Sequence, residues 1–429
     1  MATTSEKPKA PDATTKPDVE DDEEIVVAPK KAKKEERSPE EMHKEMLQKY
    51  KAASDVVHKT FETLVKACVD GASIMKLCVE GDDQITKLTS GVYTTKVDGN
   101  PIPKGVAFPT CISVNSVVSH FSPLESDIVS AAQTLATGDV VKIQLGAHID
   151  GFAALQTETL IIGATAEAPA TGRKADVVKA AWHAAQVAIR QMTVDEKNST
   201  ITESVTKVAA QWDCKPVEGM LSCQFEKNSV DGKKRIIQAP TQEQKGTHEK
   251  CTFAENEVYG VDVLISSHTD GKSKTDEART TVFQRISGVT YQLKLKTSRA
   301  AMSEAQKKAG YFPFNVRSLE DEKRARMGLL EAEKHGVVRP YEITYTHKDA
   351  FVAAFMYTVL VTADGPVLLT QPSVWYSDDK LKTEKKLEDE DFKKVLEKTI
   401  SVSDVTGTGA KRKRNTKKKS AGAVEGEAK

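Results

Sequence analysis

The sequence predicts an α+β domain made of two similar halves, and three observations lead there. Two helix-period segments followed by alternating strand segments occur twice along the chain. The strands that close these runs read alike, Gly138-Asp139-Val140-Val141-Lys142-Ile143-Gln144 against Asn256-Glu257-Val258-Tyr259-Gly260-Val261-Asp262. With 429 residues, 39% of them hydrophobic, the chain can bury a large core. Helix and strand runs grouped in this way make the architecture α+β.

The elements follow in order. Residues 1–24 are rich in Pro, Thr and acids and end in Glu20-Asp21-Asp22-Glu23-Glu24, too little apolar surface to repay ordering. A basic cluster, Lys30-Lys31-Ala32-Lys33-Lys34, follows, and residues 1–37 are expected to be a disordered tail. Ser38-Pro39-Glu40-Glu41 supplies a cap hydroxyl, a proline for the first helical position and a reciprocal glutamate. The helix begun there carries Met42, Met46, Tyr50, Ala53, Val57, Phe61, Leu64 and Cys68 at alternating steps of three and four, one apolar stripe. A second helix is expected near 72–79, strand pairs around the 140s to 160s, and helices at 174–192 and 200–211. In those helices Trp182, Val187 and Ile189 read as core.

The core is expected over residues 38–270, resuming with closing strands at 351–400. Between them, residues 271–350 carry 16 Lys and Arg against 10 Asp and Glu. Phe283, Tyr291, Tyr311, Phe312 and Phe314 interleave there with Arg285, Lys294, Lys296, Arg299 and Arg317. Cations that neutralise phosphates beside rings that stack on unpaired bases suit structured RNA; the competing reading makes the rings core and the charges a solvated face. Residues 401–429 are expected to be a second disordered tail. Its run Lys411, Arg412, Lys413, Arg414, Lys417, Lys418 and Lys419 suits an extended arm for nucleic acid or an import receptor.

Overall charge is balanced, 62 basic against 62 acidic residues, so the basic character is local. No apolar run approaches the roughly 20 residues of a membrane helix, and the N-terminus lacks a basic segment leading into an apolar one; neither membrane nor secretory routing is expected. Six cysteines without Cys-x-x-Cys spacing read as reduced thiols of the cytosol or nucleus. Cys223 has no neighbouring histidine in sequence to activate it and reads as inert.

Several segments carry a family resemblance. Val141-Lys142-Ile143-Gln144-Leu145-Gly146-Ala147-His148-Ile149-Asp150-Gly151, Ala107-Phe108-Pro109-Thr110, Ser113-Val114-Asn115 and His120-Phe121-Ser122-Pro123 resemble, in order, motifs of type-two methionine aminopeptidases. Thr171-Gly172-Arg173-Lys174, Glu218-Gly219-Met220-Leu221-Ser222, Lys296-Thr297-Ser298-Arg299-Ala300 and Glu320-Asp321-Glu322-Lys323-Arg324-Ala325-Arg326-Met327-Gly328 resemble one eukaryotic branch. That branch is the proliferation-associated, ErbB-receptor-binding and curved-DNA-binding protein family.

The resemblance implies the pita-bread, creatinase/aminopeptidase-like fold, with two pseudo-symmetric halves and a curved antiparallel sheet. It places the family's five metal-ligand positions on Gln144, Leu155, Met220, Asp262 and Met356, where one carboxylate remains and hard divalent ions want several. Branch members commonly keep aspartate and asparagine at the positions of Gln144 and Leu155, so this pocket has drifted further than theirs. Of two substrate-handling histidines one survives, at His120; the other falls on Asn228. The implied protein is therefore no enzyme, needs no cofactor and holds no metal there. The family's ribosome association implies docking on the large ribosomal subunit near the polypeptide exit, through ribosomal RNA, with roles in ribosome biogenesis, translation and growth regulation. Cytoplasm and nucleus, including nucleolus, are the implied locations. A curved-DNA-binding or transcriptional regulator is the alternative, growth-signalling proteins are further implied partners, and an active metallo-aminopeptidase is the competing class.

Overall fold

The structure, a computed structural model, describes residues 38–97 and 99–402; the expectations for residues 1–37 and 403–429, including the basic run from Lys411 to Lys419, lie outside them. From His43 onward the described residues form one compact unit. Helix α1, Pro39–Ala67, opens on the expected reciprocal cap: the Glu41 N–H donates to Ser38 Oγ at 3.2 Å and the Ser38 N–H to Glu41 Oε2 at 3.0 Å. Its stripe is buried from Tyr50 through Ala53, Val57, Phe61 and Leu64, whereas Met42 in the first turn is exposed.

Helix α2, Ile74–Ser90, is longer than expected. Beyond the expected end near 79, Ile85 and Thr89 continue the buried face. Gly81 marks a close approach, since a Cβ there would lie 2.4 Å from Thr110 Oγ1. The remaining elements of the core's first half are β1, Lys104–Val114, β2, Val140–Ile149, and β3, Phe152–Ile161. Helices α3, Gly172–Arg190, and α4, Asn198–Ala210, open the second half. Strands β4, Leu221–Phe225, β5, Arg235–Ile237, and β6, Val258–Ser266, follow.

The intervening segment builds β7, Val282–Arg285, α5, Lys296–Ala309, β8, Phe314–Asn315, α6, Glu322–Lys334, β9, Val338–Pro340, and β10, Thr344–Tyr345. Phe283, Met302, Phe314, Leu329 and Val338 give it an apolar cluster of its own. The chain then returns through β11, Val352–Thr362. The path through the main sheet is β1-β2-β3-β11-β6-β4-β5, every neighbour antiparallel. The second strand pair, β6 with β11, is thus split by the whole insertion, while its counterpart β2 with β3 is a tight hairpin.

Strand alternation divides the sheet's two faces. Ile143 and Leu145 of β2, Val261 and Val263 of β6, and Phe355 and Tyr357 of β11 join Phe61, Ile85, Val178 and Val205 from four helices in one core. Val187 and Ile189 lie in that core as expected; Trp182 is half-buried, stacked on Tyr376 with centroids 4.4 Å apart. The intervening residues of those strands point to the other face, and there the site lies.

Candidate functional site

The register lines up a row of side chains across four strands on the face away from the helices. Gln144 of β2 pairs with Thr157 of β3, Thr157 with Met356 of β11, and Met356 with Asp262 of β6. Directly paired residues of antiparallel strands project to one side with Cβ atoms about 4.5–5.5 Å apart. Leu155 sits two residues before Thr157 on the same face, and Met220 enters from the segment before β4. A cavity of about 310 Å³ is lined by all five positions singled out from the sequence, Gln144, Leu155, Met220, Asp262 and Met356.

The chemistry of this set is an amide, an aliphatic chain, two thioethers and one carboxylate. A dinuclear centre of the kind the resemblance implies draws on several carboxylate oxygens and imidazole, and thioethers are too soft for such hard ions. These donors do not fit it. Gln144 Oε1, Thr157 Oγ1 and Asp262 Oδ1 are buried without a hydrogen-bond partner. Burial pushes the Asp262 carboxyl up to about 7, because desolvation disfavours its charged form. Lys142, on the same face of β2, donates to the carbonyls of Asn115 at 3.1 Å and Val352 at 3.0 Å; burial lowers it to about 7.

His120 lines the pocket in a left-handed conformation, φ 66°. Its Nδ1 lies 3.2 Å from the Glu342 carbonyl, which can only accept, so Nδ1 carries the proton and Nε2 is the acceptor. Burial lowers its pKa to about 4. Asn228 is a correction: it does not join His120. It lies exposed in the turn after β4 with φ 66°, and its N–H donates to the Gly151 carbonyl at 2.8 Å. Its side chain packs so close that a Cβ on Gly151 would lie 2.2 Å from Asn228 Oδ1. The left-handed turn turns this side chain towards the β2–β3 turn, a constraint spacing alone does not reveal.

Cys223 also lines the pocket. Burial pushes its thiol up to about 12, with Asp231 adding to the effect, so the nucleophilic thiolate is scarce. Sequence reading missed the pocket's polar rim. Arg339 of β9 donates to Asp231 and to Gln284 Oε1, which also accepts from Tyr341 Oη at 2.8 Å. Thr157 was legible by counting two along the strand from Leu155; Arg339 was not, because only tertiary packing brings it there.

In the insertion the candidate nucleic-acid residues separate. Lys294, Lys296 and Arg299 are exposed at the start of α5. Arg299 Nη1 donates to the carbonyls of Leu293 at 2.9 Å and Lys294 at 2.7 Å, which ties its side chain back to the segment before the helix. Arg285 is half-buried with its guanidinium 4.8 Å from the Tyr311 ring centroid. Arg317 is a second correction. Its side chain is 12% exposed, and it pairs with Asp82 at 2.5 Å and donates to Ser122 Oγ at 3.2 Å and the Pro123 carbonyl at 3.0 Å. Its charge is spent inside the protein, joining the insertion to α2. Of the rings, Phe283, Phe312 and Phe314 are core, while Tyr291 and Tyr311 are each 37% exposed.

A sheet of this topology, helices on one face and a five-position pocket on the other, defines a protein of metallopeptidase architecture. Residues 48–228 match the model of metallopeptidase family M24. The chain is 40% identical over 326 residues to an Arabidopsis thaliana protein named ErbB-3 binding protein 1, covering 76% of this chain and 80% of that one. It is 39% identical over 359 residues to a curved DNA-binding protein of Schizosaccharomyces pombe, covering 84% and 91%. The solved structure of a thermophilic Arx1 superposes with a TM-score of 0.76 at 34% identity, covering 83% of this chain and 98% of that one. The chain belongs to the family of proliferation-associated, ErbB-3-binding and curved-DNA-binding proteins, on the pita-bread fold of M24 peptidases.

Proposed function

We propose that this protein is a non-catalytic binding protein that docks on RNA of the large ribosomal subunit near the polypeptide exit and acts in ribosome biogenesis, translation and growth regulation. The observation that carries the non-catalytic part is the cross-strand row Gln144, Thr157, Met356 and Asp262, which offers one carboxylate where a peptidase centre needs several. In this reading the pocket is a relic and the surface does the work, in the cytoplasm, nucleus and nucleolus. With Mn²⁺ or Co²⁺ supplied, no methionine should be released from a Met-Ala-Ser peptide; turnover that tracks protein concentration and survives Asp262→Ala would send the search for another centre, and turnover lost in that variant would restore the peptidase reading.

The exposed trio Lys294, Lys296 and Arg299 supports the RNA part, because adjacent cations neutralise several phosphates together. Changing all three to glutamate should weaken co-sedimentation with large subunits, and flatten the logarithmic salt dependence by roughly 2 to 3 at about 0.7–0.9 per contact. Three matched reversals on the exposed face of α1 should do much less. Equal pelleting of trio variant and parent at physiological salt moves the interface elsewhere. Deleting residues 411–419 should likewise weaken the association without lowering the melting temperature, as expected of an arm that adds counterion release and no packing. The fission-yeast relative's name makes duplex DNA a second reading; competition between a curved duplex and ribosomal RNA for the trio separates the two.

A further inference from the structure

At the two ends of the insertion, three metal-ligating side chains converge that nothing in the pocket uses. His268 and Asp270 follow the end of β6, and His347 follows β10. Asp270 faces both histidines at once: Oδ1 lies 2.8 Å from His268 Nδ1 and Oδ2 lies 3.1 Å from His347 Nε2. The two imidazoles stack with centroids 3.6 Å apart and planes 17° apart. One ligand atom from each residue falls within 4.8 Å of the others, whereas donors around a zinc ion bound at 2.0–2.1 Å lie about 3.3 Å apart, so an ion would draw these side chains closer.

The backbone holds these donors from both sides. The His268 N–H donates to Ser266 Oγ at 3.1 Å, and that hydroxyl lies 3.1 Å from Thr346 Oγ1, the residue before His347. The Thr346 N–H donates to the Ser116 carbonyl and the Ala350 N–H to the His347 carbonyl, each at 2.9 Å. The Lys272 N–H donates to Asp270 Oδ1 at 3.1 Å and orients the carboxylate. Stacked imidazoles sharing one carboxylate repel if both are protonated, whereas a metal takes both as neutral ligands. Two imidazoles with one carboxylate suit zinc and its neighbours and not magnesium or calcium, which want oxygen alone.

We propose that His268, Asp270 and His347 form a surface site for one divalent transition ion of the zinc class, which clips the two ends of the insertion together. Asp270 and His347 lie 77 residues apart, so occupancy ties the exit strand of the core to the strand that returns to it. Water completes the coordination on the open side. The reading is independent of the pocket and of the RNA-binding proposal, and holds or fails without them.

The test is calorimetric titration of the full-length protein with Zn²⁺, beside the variant H268A/H347A. The parent should take up one equivalent more than the variant, and its thermal midpoint should rise with Zn²⁺ while the variant's does not. Asp270→Asn should weaken the extra site by more than about tenfold, since even partners outside the coordination sphere cost 10- to 100-fold. Equal stoichiometry and equal midpoint shifts in parent and variant overturn the proposal. Should the double variant melt early without metal, the Asp270→Asn protein decides: unchanged affinity there also overturns it.

Discussion

Replacing Arg317 with alanine is expected to lower the unfolding free energy by about 2–3 kcal/mol, somewhat below the cost of stranding one partner of a fully buried ion pair because this one is partly buried. Asp82 would keep its contact with the Thr110 N–H at 2.7 Å but lose the guanidinium that balances its charge. Ser122 Oγ and the Pro123 carbonyl would lose a donor as well. Urea unfolding measures this directly, as a lower midpoint at unchanged slope. Arg317→Lys should recover only part of the loss, because an ammonium cannot reproduce a fork reaching a carboxylate, a hydroxyl and a carbonyl. A midpoint within error of the parent, with RNA binding reduced, would return Arg317 to the surface role its sequence neighbours suggest.

The second large effect is a pH dependence centred on Asp262. Its carboxyl ionises near pH 4 in the unfolded chain and at about 7 in the fold. Below pH 4 both states hold the proton and burial costs nothing extra. Between pH 4 and 7 the unfolded chain has released the proton that the folded chain keeps, so stability falls as pH rises and the full penalty stands above 7. Asp262→Asn should remove this loss, making the variant more stable than the parent by a few kcal/mol at pH 8 and nearly equal to it at pH 4. Lys142 runs the other way: burial lowers it to about 7, so the penalty of its charge is full below 7 and relieved as pH climbs towards 10.5. Unfolding of parent and Asp262→Asn followed from pH 4 to 9 is the measurement. A constant difference across that range would mean that Asp262 is ionised in the fold at all these pH values.

The same residues show what could be read before any fold was known. The stripe of α1, the Ser38 cap, the strand segment ending at Gln144 and its likeness to the one ending at Asp262 are local patterns. Periodicity and capping chemistry act over a few residues, so a linear sequence carries them in full. The positions Gln144, Leu155, Met220, Asp262 and Met356 came through the family resemblance, and their side-chain chemistry could then be judged as a donor set without any geometry. Three features waited for the tertiary structure. The extent of α2 was one: the helix runs on to Ser90 through Gly81, which packs closely against Thr110 of β1. Asn228 left the pocket because a left-handed turn redirects its side chain, and backbone handedness is not written in residue spacing. Arg317 shares its sequence neighbourhood with cations that stay exposed, and only the arrival of Asp82 from α2, with its opposite charge, drew it inside. Charge tells what a side chain can bind; the sequence settles that much, and packing decides whether the partner is a phosphate in solution or a carboxylate brought from far along the chain.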